Sequence, residues 1–484
     1  MLDHPTTDLS PTDEQLDILS RAESTDDNIM MQAYAGTGKT STLELIERSV
    51  NERPILYLVF NKKNAEEATQ RMLSTTTVRT FNSLGHRIWA SACSKRLTLN
   101  SKKIPDALRK IINDLPRAQQ GPIWDSFWDI VNGVGRAKAL GYVPEGKYPT
   151  AKRLITPAKF HASLEEEPDD LVCDLIDALL TASIREAYQG VIDYNDQIYM
   201  PALFGGNFPR FPLVLVDEYQ DLNPVNLYMI EKLVGDRRLI GVGDTNQSIY
   251  AFRGANVHGM SDHEKKFSMT PMDLSISFRC PSAIVEHARW HVPKFRWFKE
   301  GGSVAALDRL DSTSISDDAA IICRNNAPLF SVALSLLASG RSVSVAGSDI
   351  GPKLIAMMKK LGDGGMSRAT LLGEITAWEE EKLARNSTTA HDLAECMRTF
   401  ARASTSLDTA IAYAEHLFAQ RGRIQLMTGH KAKGLEFSSV YHLDPALVRG
   451  RFGPPSDQDK NLDYVITTRS RDQLYEIASG DIRW

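Results

Sequence analysis

The run Ala33-Tyr34-Ala35-Gly36-Thr37-Gly38-Lys39-Thr40 sets two glycines, a lysine and a hydroxyl at the spacing that phosphate binding needs. Gly36 and Gly38, with Ala35 and Thr37 between and beside them, let backbone N–H groups close round phosphates. The N-terminus of the helix that follows adds its favourable dipole. Lys39 can reach the β- and γ-phosphates, and the Thr40 hydroxyl can ligate Mg²⁺. The strict pattern has glycine where this chain has Ala33, so the loop is slightly irregular. A second piece, Val216-Asp217-Glu218-Tyr219-Gln220-Asp221, follows an apolar run and places Asp217 at a strand's carboxyl end. A carboxylate there can hold Mg²⁺, and Glu218 beside it can activate an attacking water. Either piece alone has a plainer reading, a tight glycine turn for the first and a solvated turn for the second. Together they point to nucleotide hydrolysis.

Those groups need a scaffold that alternates strands and helices. Ser10 and Pro11, with Glu14 following, predict a helix capped by Ser10. Ile29–Met31 and Ile55–Phe60 predict buried strands, with helices through Leu43, Ile46 and Glu47 and over Ala65–Met72. Strand character returns at Leu213–Val216, Leu239–Val242, Ala319–Cys323, Ser342–Val345, Ile424–Met427, Val440–Leu443 and Tyr464–Thr467. The intervals between predict mainly helical insertions. Such alternation indicates an α/β protein with two parallel-sheet cores, each interrupted by an insertion.

The chain has 484 residues, 42% apolar and 24% charged, with 56 Lys and Arg against 61 Asp and Glu. This excludes a disordered tail, a collagen-like fibre and a disulfide-stapled miniprotein. The net charge of −5 argues against a broad coat of positive charge but leaves room for a local track. Five scattered cysteines without a Cys-x-x-Cys pair argue against zinc ribbons and fit a reducing interior. The acidic start lacks an apolar core, and no apolar run approaches the length of a membrane span. A cytoplasmic protein without a membrane partner is expected.

With the further segments Phe60-Asn61-Lys62, Thr80-Phe81-Asn82-Ser83-Leu84, Gly243–Ala255, Ser277-Phe278-Arg279, Thr428–Phe437 and Tyr464–Arg469, the chain resembles superfamily 1 helicases of the UvrD/Rep type. Its wording is similar to the F-box DNA helicase branch and to compact bacterial or phage relatives. The resemblance implies two RecA-like domains, P-loop NTPase chemistry, and ATP and Mg²⁺ as cofactors. It implies that Gln15 reads adenine, that Phe278 stacks on the base, and that Gly434 and Glu436 lie at the nucleotide, Glu436 at its ribose. Ser41 replaces an arginine that larger relatives often carry, which puts base sandwiching in doubt. Arg279 and Arg469 are implied arginine fingers, and Gln247 an implied sensor of the γ-phosphate.

For nucleic acid, the resemblance implies stacking and backbone contacts from Phe60, Asn61, Phe81, Asn82, Tyr250, Phe252, Arg253, Thr428 and His430. Phe452 is expected to cap the terminal base pair at a fork. Trp124, Phe127 and Trp128, at helical spacing, are expected to form the first insertion's core. Lys138 is expected to touch duplex backbone, and Asp193–Asp196 to serve structure alone.

The expected boundaries are residues 1–90 with 191–270 for the first motor domain and 91–190 for its insertion. Residues 271–345 with 421–484 form the second, and 346–420 a reduced insertion. The implied activity is ATP-dependent translocation 3′ to 5′ on single-stranded DNA, with unwinding at single-strand/duplex junctions during replication, recombination or repair. Recombination or replication proteins are expected partners, and the protein is expected to be monomeric. Two alternatives are an ATPase that strips recombinase filaments and an ATP-gated module serving a partner.

Overall fold

The computed structural model describes residues 10–164, 170–250, 254, 256, 258–308, 310–346, 350–384, 387, 389–450 and 453–483. Contacts divide the chain into two compact units: Gly38–Ser275 with the segment up to Tyr34, and Ile276 onward with Ala35–Thr37.

The first unit is built on six parallel strands: β1 Ile29–Ala33, β2 Ile55–Val59, β3 Thr76–Thr80, β4 Leu213–Val216, β5 Arg238–Gly243 and β6 Thr270–Leu274. Their order across the sheet is β3-β2-β4-β5-β1-β6. The central strands β2, β4 and β5 are buried along their whole length. Helices cover both sheet faces, which is why these strands read as continuous apolar runs. The edge strands β3 (TTVRT) and β6 (TPMDL) are half-exposed. Neither has an apolar run, and Pro271 is tolerated because β6 has a free side.

Helix α1, Asp13–Ser24, is capped by Thr12, two residues beyond the expected Ser10 cap. Thr12 and Gln15 form a reciprocal capping box, and this pair outcompetes the Ser10-Pro11 start. Helices α2 (Lys39–Ser49), α3 (Lys62–Arg71) and α4 (Phe81–Cys93) follow β1, β2 and β3 in turn. Gly85 lets α4 approach the helix Asp196–Phe204, since a Cβ there would stand 2.1 Å from the Gln197 carbonyl oxygen.

Between β3 and β4 lie the helices Lys103–Asp114, Arg117–Asp125, Phe127–Leu140, Pro157–His161 and Asp170–Tyr188. Their core is Ile104, Leu108, Ile130, Val134, Ile176 and Leu180. Of the three aromatics expected there, only Phe127 is buried; Trp124 is 43% and Trp128 56% exposed. The break between two helices at Ser126 turns the tryptophans outward, Trp124 stacked on Phe127 and Trp128 edge-on to it.

The expectation for Lys138 is also corrected. Its ammonium is buried, 2.6 Å from both Asp193 and Asp196, and donates to Ser183 Oγ. Lys103 joins from the other side at 2.7 Å from Asp196. Burial alone would raise the Asp196 pKa, but the Lys138 and Lys103 charges outweigh it and hold the carboxyl below its ordinary value. Lys138 therefore has no face for duplex DNA.

The second unit repeats the architecture with β7 Ser303–Leu307, β8 Ala320–Cys323, β9 Val343–Val345, β10 Ile424–Thr428, β11 Phe437–Leu443 and β12 Ser470–Ile477, all parallel and ordered β7-β12-β11-β8-β10-β9. Helices Ile350–Met358, Arg368–Ala384, Ala390–Ala403 and Leu407–Ala419 separate β9 from β10. Tyr464–Thr467, expected as a strand, is the end of the helix Asp457–Thr467, whose start is fixed by a Ser456–Asp459 capping box. Every residue from Asn461 to Thr467 is buried, so no periodicity separates helix from strand there.

Candidate functional site

In the first unit, four expected groups converge at the carboxyl ends of β1 and β4. Gly38 takes φ 79 and caps α2 in the left-handed conformation that glycine adopts at no steric cost. Lys39 then starts the helix with its ammonium 3.3 Å from Glu218 Oε2. The Thr40 hydroxyl donates to Asp217 Oδ2 at 2.9 Å, and Tyr57 donates to the same oxygen at 3.0 Å. Burial, and then the neighbouring Glu218 charge, push the Asp217 carboxyl up to about 6 against the pull of Lys39. Glu218 holds φ 53 and ψ 46, a left-handed conformation uncommon for a residue with a Cβ and concentrated at functional sites.

A hydrogen-bonded chain leaves Glu218 toward β5. Gln220 Nε2 donates to Glu218 Oε2 at 2.6 Å, and the Asp244 N–H donates to Gln220 Oε1 at 2.9 Å. Gln247 Nε2 then donates to Asp244 Oδ2 at 2.6 Å. Gln32 adds a bond from its Nε2 to Asp244 Oδ1 at 3.1 Å. The sequence reading assigned no role to Tyr57, Gln220, Asp244 or Gln32. Gln220 lies inside the acidic motif and Asp244 inside the Gly243–Ala255 segment, so both stand within motifs visible in the sequence.

The Gln15 amide is occupied at both ends: its oxygen accepts the Thr12 N–H, and its Nε2 donates to Thr42 Oγ1 at 2.9 Å. Ser41 is exposed on α2.

In the second unit, Ala35–Thr37 is held by the Ser277–Phe278 segment. Ser277 Oγ donates to the Ala35 carbonyl, and the Phe278 N–H to that of Gly36. Phe278 packs at 5.1 Å between ring centroids against Phe298, an exposed ring that the sequence reading missed. Arg279 pairs with Glu436 at 2.5 Å, so the expected finger and the expected ribose contact bind each other. Gly434, with φ 82, turns the chain just before Glu436. Arg469 is buried, with bonds to the Val465 and Leu435 carbonyls and to Thr468 Oγ1. Desolvation, then the Arg279 charge, lower its pKa to about 10.

The expected strand contacts separate by burial. Phe60, at the end of β2, is 43% exposed and offers a ring, whereas Phe81 is 2% exposed and packs with Leu84 and Val214. Phe81 is thus a core residue, not a stacking platform. Asn61 caps α3. Asn82 donates to the Tyr194 carbonyl and to Gln197. Tyr250 is half-buried, and Thr428 caps the short helix that carries His430. Phe252, Arg253 and Phe452 lie outside the described residues.

Two parallel-sheet units, the first with Gly38-Lys39-Thr40 opening a helix beside a strand-end carboxylate, define a two-domain α/β protein whose sequence carries the P-loop pattern Gly-x-Gly-Lys-Thr. Residues 200–268 match the UvrD/REP helicase N-terminal domain. The ATP-dependent DNA helicase UvrD1 of Mycobacterium bovis is 31% identical over 280 residues, half of this chain and 34% of that protein. The ATP-dependent DNA helicase PcrA of Leuconostoc citreum is 27% identical over 319 residues, 58% of this chain and 40% of that protein. The RecBCD enzyme subunit RecB of Mycolicibacterium smegmatis is 33% identical over 133 residues, 24% of this chain and 12% of that protein. In these stretches the chain is similar to helicases of the UvrD/Rep type. Its matched stretch spans well under half the length of these curated relatives. Among the described residues, no helix is long and apolar enough to cross a membrane.

Proposed function

We propose that this chain is an ATP-dependent motor that moves 3′ to 5′ along single-stranded DNA and separates strands at single-strand/duplex junctions. The observation carrying this reading is the convergence of Lys39, Thr40, Asp217 and Glu218 at neighbouring strand ends. The similarity to proteins named ATP-dependent DNA helicases supports it.

The loop N–H groups and Lys39 bind the nucleotide's phosphates, and Glu218 accepts a proton from the attacking water. Thr40 and Asp217 would hold Mg²⁺, their hard oxygens suiting an ion that takes few protein ligands beside phosphate and water. That ion, when bound, neutralises developing phosphate charge. Gln247 senses the γ-phosphate and reaches Glu218 through Asp244 and Gln220. Arg279 and Arg469 supply positive charge to the transferring phosphoryl group, and Phe278 stacks on the base. Phe60, Tyr250, Phe252 and Arg253 carry the strand. The motor domains are read as 1–90 with 191–270 and 271–345 with 421–484, with insertions at 91–190 and 346–420. The chain works as a monomer, alongside recombination or replication proteins.

The test is ATP turnover with and without single-stranded DNA, run beside unwinding of 3′- and 5′-tailed duplexes. Stimulated turnover with unwinding of 3′-tailed substrate alone is expected. Filament displacement without unwinding replaces this reading with a protein-stripping ATPase. Turnover indifferent to DNA replaces it with a partner-gated module.

A further inference from the structure

The first unit carries a cleft of about 440 Å³ that none of these roles uses. Three parts of the chain line it: Lys152 and Arg153 after the helix Phe127–Leu140, Tyr228 on the helix Pro224–Val234, and Asn256, Asp262, His263 and Lys266. The Tyr228 ring has two ammoniums over it, Lys152 at 6.0 Å and Lys232 at 5.4 Å from the centroid. Lys232 also stands 5.2 Å from the Phe208 ring, so it is wedged between two aromatics.

Two acids belong to the cleft, and both are engaged. Glu231 holds Lys266 at 2.6 Å, and Asp262 accepts from Asn256 Nδ2 at 3.3 Å. Against them stand Lys152, Arg153 and Lys266 in the cleft and Lys232 beside it at the Tyr228 ring, an excess of positive charge on a chain whose net charge is −5. Cations around an aromatic ring suit a polyanion that also carries planar groups, because phosphates take the charges and a base takes the ring. An acidic peptide would use only the charges.

We propose that this cleft is a second contact for single-stranded DNA, with phosphates on Lys152, Arg153 and Lys266 and a base against Tyr228. The proposal rests on the DNA-motor reading. The experiment is fluorescence anisotropy with oligo-dT of about 10 and about 30 nucleotides, bracketing the span of one to several contacts, over a range of salt.

For Lys152→Ala/Lys266→Ala, the longer oligonucleotide should bind about tenfold more weakly, and its log–log salt slope should fall by about 1.4, the equivalent of two lost single-strand phosphate contacts. The short one should bind as in wild type. Tyr228→Leu should weaken the longer oligonucleotide with no change in slope. Thermal unfolding of each variant checks that the fold is intact.

Wild-type affinity and slope for the double variant overturn the cleft as a DNA contact, and would be the result if it served an acidic protein instead. Equal losses on short and long oligonucleotides overturn it as a second contact. Failure of the motor reading is separable: it shows in wild type as absent DNA stimulation of ATP turnover.

Discussion

Lys39 Nζ stands 3.3 Å from Glu218 Oε2, joining the first residue of α2 to the acid that follows Asp217. The lysine proposed for phosphate and the carboxylate proposed for water thus hold each other, and bound phosphate must draw Lys39 away. Lys39→Ala should lower kcat for ATP by about 10²–10³, the scale of losing one preorganised charge in a site. A coupled-enzyme ATPase assay measures this, and near-normal turnover would remove the nucleotide-site assignment.

Gln220 links Glu218 to Asp244 and so to Gln247. Gln220→Ala should cost more in the DNA-stimulated rate than in the DNA-free rate, because it cuts the path between them while leaving Lys39 and Thr40 in place. Comparing the two rates decides it. An equal loss in both would reduce Gln220 to a structural prop.

Arg469 has three hydrogen bonds to neutral oxygens and the Arg279 charge beside it. Arg469→Lys should lower kcat by about 10³ with little change in KM, the lower end of what an arginine finger supplies. A change confined to KM would assign Arg469 to binding instead.

Phe60 and Phe81 were alike in sequence and differ in burial. Phe60→Ala should weaken single-stranded DNA binding by about 1–3 kcal/mol, the range for one stacked base. Phe81→Ala should instead destabilise the fold by about 3–5 kcal/mol through the cavity it leaves. Urea unfolding and DNA titration of both variants give four numbers, and interchange of the two effects would contradict the burial argument.

Asp196 is shared by Lys103 and Lys138. Asp196→Asn leaves the buried Lys103 ammonium without its carboxylate and Lys138 with Asp193 alone, and should cost about 3–5 kcal/mol near neutral pH. The Asp196 carboxyl is held below its ordinary value. Its contribution is therefore complete above the unfolded pKa of about 3.9 and lost as pH falls through the folded one. The gap between wild type and variant should narrow below about pH 4. A gap independent of pH in denaturant titrations would show that lost packing, not charge, sets the cost.

Much of this protein was legible in its residues. The loop Ala33–Thr40 and the acidic run at Asp217 need particular residue types at fixed spacing, so their chemistry is local and visible. The central strands β2, β4 and β5 were visible too, because burial on both faces demands unbroken apolar runs. Edge strands β3 and β6 were not, since one free side removes that demand. Tyr464–Thr467 was misread because a segment buried all round has no period. Tertiary structure alone decided which of several similar residues faces solvent. It turned Trp124 and Trp128 outward while burying Phe81, and it took Lys138 from an expected DNA contact into an ion-pair cluster. It also brought Gln220 and Asp244 together across neighbouring strands. The physical reason is common to all: burial and partnership depend on what the rest of the chain places nearby, and no spacing within one segment records that.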